Sequence, residues 1–200
     1  KYNYKLTEET LEKDIDKFIE SAKEGDFRMD RHNNSEGLKI INQYFRILGD
    51  KFKNNELEEC KICYEKLILF CIDASGANNL FDYEDLLAKI TNEFDDYIEN
   101  YFICLVKTCG MDELAERVVR YASRLDIYGF DSDKEILLEN LSKEQLNQLE
   151  GKMLAKTQGM TKKDQDKQDI IYFLMNIAEV QEDKEKYLRL GELLLKEGLI

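Results

Sequence analysis

The 200-residue sequence contains no proline, only one histidine and no long apolar run. At an average usage of about 5%, roughly ten prolines would be expected in a chain of this length. Because proline interrupts helix interiors, its absence allows long helices throughout the sequence. The longest apolar run, from Leu67 to Ile72, is far shorter than the roughly 18 residues that a membrane-spanning helix needs, so we expect no membrane segment.

Basic residues are scarce relative to acidic ones. The chain has 29 Lys and Arg against 42 Asp and Glu, which gives a net charge of -13. A field of this sign repels phosphate backbones and anionic lipid, so we expect no direct binding to nucleic acid or to a membrane. The expected partner is therefore another protein. With 43% hydrophobic residues, the composition is that of a folded globular protein.

The cysteine content is low and odd: five residues, with no secretory signal before them. This usage indicates free thiols in a reducing, cytoplasmic setting.

The sequence starts at Lys1 and still has a helical pattern between Leu193 and Ile200. We therefore expect one all-helical domain over residues 1–200, taken from a longer protein.

Apolar residues recur every three or four positions almost from end to end, which predicts an all-α fold without strands. The third predicted helix has so broad an apolar face that contact with two neighbouring helices is expected. Gly49 is predicted to close the second helix, and Ser142 to begin another through a capping box. The predicted helices cover, approximately, residues 8–24, 38–48, 57–74, 83–90, 94–109, 111–125, 134–140, 143–154, 170–180 and 184–195. One continuous helix over residues 83–109 is the alternative to the fourth and fifth of these.

About nine antiparallel helices with short loops predict an α-solenoid or an irregular helical-repeat array similar to TPR or HEAT proteins. No fixed period with recurring signature residues is present, so any repeats are divergent.

A zinc site is one interpretation of the cysteines. Cys60 and Cys63 are three residues apart on a predicted helix, and Cys104 and Cys109 on another helix could complete four thiolates. However, every cysteine takes a position that an apolar residue would otherwise fill. Buried structural thiols are therefore the favoured interpretation, with metal binding and redox chemistry as alternatives.

The sequence shows no recognisable catalytic motif. His32, the single histidine, lies in a polar loop at residues 25–35 without a nucleophile signature beside it. Glycine-rich phosphate loops and the zinc-protease and hydrolase motifs are missing. We predict a protein that is not an enzyme and needs no cofactor; an enzyme site between helices, near His32, is the least favoured hypothesis.

Arg117, Arg120 and Arg124 form a basic row in this acidic chain. Their spacing places three guanidinium groups along one face of a predicted helix, where they could bind an acidic partner. The simpler interpretation is a solvated face paired with Glu113 and Glu116. These arginines are the predicted partner-binding residues.

The second half of the chain resembles the helical region of bacterial SWIM zinc-finger proteins and related uncharacterised helical proteins. The resemblance rests on three segments: Asp112-Glu-Leu-Ala-Glu-Arg-Val-Val leading to Tyr128-Gly-Phe-Asp, then Leu141-Ser-Lys-Glu-Gln-Leu-Asn-Gln-Leu, and finally Ile177-Ala-Glu-Val-Gln-Glu-Asp-Lys-Glu-Lys-Tyr-Leu. It implies TPR-like hairpins. The zinc ligands that define the family, a CxC followed by CxH, are absent from these 200 residues, so no zinc or DNA role is assigned to any residue.

Two interpretations of function therefore come first. In the preferred one, the chain is a helical scaffold that presents a groove or helix face to a protein partner. In the alternative, it positions another domain of a larger zinc- or nucleic-acid-handling protein. The identity of the partner and the oligomeric state do not follow from the sequence.

Overall fold

A computed structural model describes residues 10–27, 36–77, 86–90, 94–125, 130–161 and 164–200. Within these ranges the chain is all-helical and contains no strand, as predicted. The helices are α1 (Leu11–Glu24), α2 (Glu36–Lys53), α3 (Leu57–Ala77), α4 (Phe94–Thr108), α5 (Met111–Ala122), α6 (Asp131–Asn140), α7 (Lys143–Thr157), α8 (Gln165–Val180) and α9 (Lys184–Glu197), with a short 3-10 helix at Leu87–Lys89.

The chain divides into two compact units, residues 1–104 and 105–200, with the division inside α4. The expectation of one all-helical domain over residues 1–200 stays a prediction. The two units are described separately below.

In the first unit, α3 packs against both α1 and α2, which confirms the expectation from its broad apolar face. Tyr64 and Leu67 of α3 are completely buried. Aromatic rings join α2 to α4, where Phe45 stacks on Tyr97 with ring centroids 4.0 Å apart and planes inclined by 11°. Such contacts add to the free energy gained by burying the rings.

The prediction that Gly49 closes α2 is wrong. The helix continues to Lys53, and its end is set by Asn55, which has a left-handed backbone with φ of 64°. The amide of Glu56 donates to the carbonyl of Lys51, and the amide of Asn55 donates to that of Phe52. This is a Schellman motif, in which asparagine takes the position more often filled by glycine.

Other helix ends also differ from their predicted positions. α3 continues through Ser75 to Ala77, where a turn was expected, and α5 ends at Ala122 rather than Leu125. The helix expected at 83–90 is a single 3-10 turn in its described part, and Ile90 is extended. A continuous helix through Ile90 is therefore excluded.

In the second unit, α8 packs against α5, α6, α7 and α9. The predicted capping box at the start of α7 is confirmed: the Ser142 hydroxyl accepts from the Gln145 amide at 3.2 Å, and the Gln145 side chain accepts from the Ser142 amide at 2.9 Å. These contacts satisfy amide groups that a helix start leaves without partners.

Charged side chains attach α9 to its neighbours. Glu150 of α7, which is buried, pairs with Lys186 at 3.3 Å and also with Arg189. Near the other end of α9, Glu197 accepts a hydrogen bond of 2.6 Å from the buried Lys167 of α8. α9 thus has ionic contacts at both ends of its inner side, while Leu190 and Leu194 fill the apolar contact between them.

Candidate interaction surfaces

The four cysteines proposed as zinc ligands do not form a metal site among the described residues, where no group of three or more His, Cys, Asp or Glu side chains could hold a metal ion. Cys60, Cys63 and Cys104 are buried, and Cys109 is half-buried. Burial raises the pKa of Cys60 to about 11 and that of Cys63 to about 12. Protonated, enclosed thiols are poor nucleophiles and poor metal ligands at neutral pH.

The predicted arginine row lies on α5 and the turn that follows it. Arg117 donates to Glu113 at 2.8 Å, and its side chain is only 14% exposed. Arg120 is exposed and lies 3.8 Å from Glu116, whereas Arg124 is exposed beyond the end of the helix. Two of the three guanidinium groups thus have the carboxylate partners that the simpler interpretation named, and their role in partner binding stays a prediction.

His32 lies outside the described residues, as do Tyr128 and Gly129 of the SWIM-like segment.

A buried polar cluster lies in the second unit. The Tyr121 hydroxyl donates to Asp133 at 2.7 Å, and the ammonium of Lys134 lies 3.0 Å from the other oxygen of that carboxylate. Burial raises the pKa of Asp133. The cluster is enclosed, since all three side chains are buried, so it is placed to connect α5 with α6 rather than to meet a substrate.

A different surface, which the sequence analysis missed, exposes apolar side chains. In the described part of the chain, all the exposed large apolar residues come after position 179. Leu188 and Leu195 are each 64% exposed, one above the other on the outer side of α9, and Tyr187 is 38% exposed. We call Tyr187, Leu188 and Leu195 the end surface.

A groove of about 770 Å³ adjoins the end surface where α8 turns into α9. Tyr187 and Leu188 form one side of it, and Ala178 lies at its base. Its acidic rim contains Glu179, Glu182 and Asp183, with Lys184 as the single basic lining residue.

Local geometry shapes the turn beneath this groove. Glu182 has a left-handed backbone with φ of 56°, which lets the chain reverse direction between α8 and α9. Asp183 then caps α9 by accepting from the amide of Lys186 at 3.0 Å. Both acidic side chains are thereby placed beside Tyr187 and Leu188.

Further acidic residues lie along the outer side of α9. Glu185 and Glu192 are exposed and seven residues apart, so they form a line beside that of the two leucines. Within the described residues, neither forms an ion pair. Lys184 and Lys196 provide opposite charge, but carboxylates predominate over the groove rim and the helix face taken together.

The chain matches no protein-family model, no curated protein and no solved structure. The SWIM-like resemblance therefore stays a prediction. In the parts of the chain that the structure describes, no helix has the length and apolar character needed to cross a membrane.

The positions of the leucines around α9 are the sequence pattern that could have indicated the end surface. Leu190 and Leu194 are buried, whereas Leu188 and Leu195 lie about a third of a turn around the helix from them. A helix with leucines on two different sides either is fully enclosed or has an exposed apolar side. The sequence pattern alone indicates the second apolar side but not which side faces the core.

Proposed function

We propose that the chain is a non-enzymatic helical scaffold of the α-solenoid type, and that the end surface binds a helix of a partner protein. The observation that carries the proposal is the exposure of Leu188 and Leu195 on one line of α9. Exposed leucines in a row lose unfavourable contact with water when an apolar helix face covers them.

Charge indicates which kind of helix fits. The groove beside Leu188 has three carboxylates and one ammonium on its rim, and the whole chain carries a net charge of -13. A partner helix with lysine or arginine beside its apolar residues would meet favourable potential during approach and after docking. The proposed occupant is therefore a basic amphipathic helix.

The arginine row supports partner binding less well. Arg117 is largely covered and already paired, so a new acidic partner would have to displace Glu113. The leucines of the end surface require no such displacement. The arginine row remains the prediction made from sequence, with an acidic partner as its expected ligand.

The test uses a fluorescein-labelled 18-residue helical peptide with leucines on one face and lysines beside them. Fluorescence anisotropy measures its binding to the full chain and to the double variant Leu188→Ser, Leu195→Ser, which keeps the net charge unchanged. Loss of hydrophobic contact should weaken binding at least tenfold, since each buried leucine contributes about 1.5 kcal/mol or more. Far-UV circular dichroism should show the same helix content in both proteins, because the leucines are exposed.

Two controls make the result specific. Ala155→Ser changes an exposed apolar residue of α7 outside the end surface and should leave peptide affinity unchanged. Equal affinity for the parent and the double leucine variant would show that only net charge attracts the peptide, and it would refute the end surface as a docking site. Weakened binding by the variant with Arg117, Arg120 and Arg124 changed to Glu, but not by the leucine variant, would favour the arginine row instead.

A further inference from the structure

A second groove, of about 640 Å³, lies in the first unit between α2 and α4. Its character differs from that of the acidic end surface. Lys39, Arg46 and Lys53 line it at intervals of seven residues along α2, so they lie in one row about 10 Å apart. Two carboxylates, Asp50 and Asp96, also line the groove. With three cations against two carboxylates, the groove has a small excess of positive charge in a strongly acidic chain.

Two of the three cations form no ion pair within the described residues, although Asp50 lies one helical turn from each of them. Lys39 lies 4.0 Å from Glu36 at the start of α2. Arg46 and Lys53 form no ion pair with any described residue, and both are exposed. Among the described residues, an anionic ligand would therefore displace no ion pair of Arg46 or Lys53.

Gly49 provides a space in the same groove. It lies in the interior of α2, its φ is not in the left-handed region, and a Cβ atom added there would meet no described atom within 4 Å. Neither backbone conformation nor packing within the described residues therefore calls for glycine, although glycine weakens a helix relative to alanine. Glycine at this position leaves open space beside the groove, between Arg46 and Lys53 along α2.

An aromatic pair lies beneath the groove, with Phe45 buried and Tyr97 6% exposed. Phe45 and Tyr97 stack on each other at 4.0 Å and both line the groove. An aliphatic side chain that entered beside Gly49 would lie close to this pair and to the aliphatic stems of the cations. The groove thus combines a small apolar contact with three cations at seven-residue intervals and two carboxylates.

We propose that the α2–α4 groove binds an acidic helical segment of a partner protein, with one aliphatic side chain of that segment inserted at Gly49. Glutamates spaced by seven residues would lie at the same interval as Lys39, Arg46 and Lys53. The site is separate from the end surface, which favours a basic partner. A scaffold with both sites would bind two partners of opposite charge.

The probe is a fluorescein-labelled 18-residue helical peptide with glutamates seven residues apart and leucines beside them. Anisotropy titration of the full chain should show binding that weakens between 50 and 300 mM salt. Gly49→Leu fills the gap without changing charge and should weaken binding at least tenfold. Gly49→Ala adds only a methyl group in open space; it should keep affinity within threefold and raise the midpoint of thermal unfolding.

Charge reversal provides the second set of variants. Arg46→Glu and Lys53→Glu should each weaken binding at least fivefold, whereas Lys107→Glu, which makes the same charge change at an exposed residue outside the groove, should not. Unchanged affinity in Gly49→Leu, or no binding of the peptide by the parent at 50 mM salt, would overturn the proposal. The Leu188→Ser, Leu195→Ser variant should bind this peptide as the parent does, so failure here and failure at the end surface are distinguishable.

Discussion

The phenolic hydroxyl of Tyr121 in α5 donates a hydrogen bond of 2.7 Å to a carboxylate oxygen of Asp133 in α6, and neither side chain is exposed to solvent. A buried carboxylate is stable only where its oxygens accept hydrogen bonds or meet a positive charge. Lys134 supplies the charge at the other oxygen. The three residues therefore link two helices through polar contacts inside an apolar environment.

Removing the tyrosine hydroxyl should destabilise the fold. Tyr121→Phe keeps the ring but leaves one oxygen of Asp133 without its donor, which is expected to cost about 1–3 kcal/mol of unfolding free energy. Urea denaturation at pH 7 measures the loss. The matched change Tyr187→Phe, at an exposed tyrosine, should alter stability by less than about 0.5 kcal/mol. Equal effects of the two changes would contradict the buried role of Tyr121.

Asp133 should make part of the stability depend on pH. Its pKa in the folded protein is raised by burial, so the folded state holds this proton more firmly than the unfolded state does. The resulting stabilisation is complete below the unfolded pKa of about 4 and is lost as pH rises through the folded pKa.

The measurement compares the parent with Asp133→Asn by urea denaturation between pH 4 and pH 7. The free-energy difference in favour of the parent should decrease as pH rises over this interval. Asp131→Asn, at an exposed position on the same helix, serves as the control and should give a difference that varies less with pH. A difference that grows with pH would show that the folded pKa of Asp133 is lowered.

Glu150 should control the attachment of α9. Glu150→Gln removes the charge that Lys186 and Arg189 contact, and we expect a loss of about 1–2 kcal/mol from these charged hydrogen bonds. Hydrogen exchange followed by mass spectrometry should show faster exchange in α9, while α2 and α3 keep their parent rates. Glu144→Gln, at an exposed position of α7, is the control; faster exchange throughout the chain in the Glu150 variant would argue against a local role.

The thiols should differ in reactivity. Cys60, Cys63, Cys71 and Cys104 are buried, whereas Cys109 is half-buried near the end of α4. A thiol reagent such as DTNB should therefore modify one cysteine rapidly in the folded protein at pH 8 and all five in denaturant. Cys109→Ser should abolish the rapid phase. Rapid modification of two or more thiols in the folded parent would contradict the burial of the cysteine positions.

The sequence predicted helices better than it predicted where they end. Periodic apolar residues identify a helix because burial along one side stabilises it over its whole length. The ends of helices depend on a few local hydrogen bonds, which the apolar pattern does not show. The glycine at position 49 therefore predicts an end of α2 that the structure places later, where Asn55 makes the left-handed turn. Ser142 was identified correctly because its capping partner Gln145 is three residues away in sequence.

Candidate surfaces were harder to predict than helices. The pairing of Arg117 and Arg120 with glutamates four residues earlier follows from local spacing, but which leucines of α9 remain exposed depends on the side of the helix that α7 and α8 cover. The same holds for Gly49, whose significance depends on the open space around it. Such properties arise from contacts between residues distant in sequence, and a pattern along one helix does not contain them.

Glu182 combines a left-handed backbone with a carboxylate on the groove rim, so a substitution that raises thermostability there would also change the charge of the groove. Glycine adopts this conformation without the steric cost that a glutamate bears, so selection for heat resistance would favour Glu182→Gly. The same replacement would remove one carboxylate from the rim of the groove beside Leu188. A variant selected for thermostability alone would therefore lose part of the charge that the proposed basic partner would contact. The protein with Glu182 is the better choice for isolating such a partner.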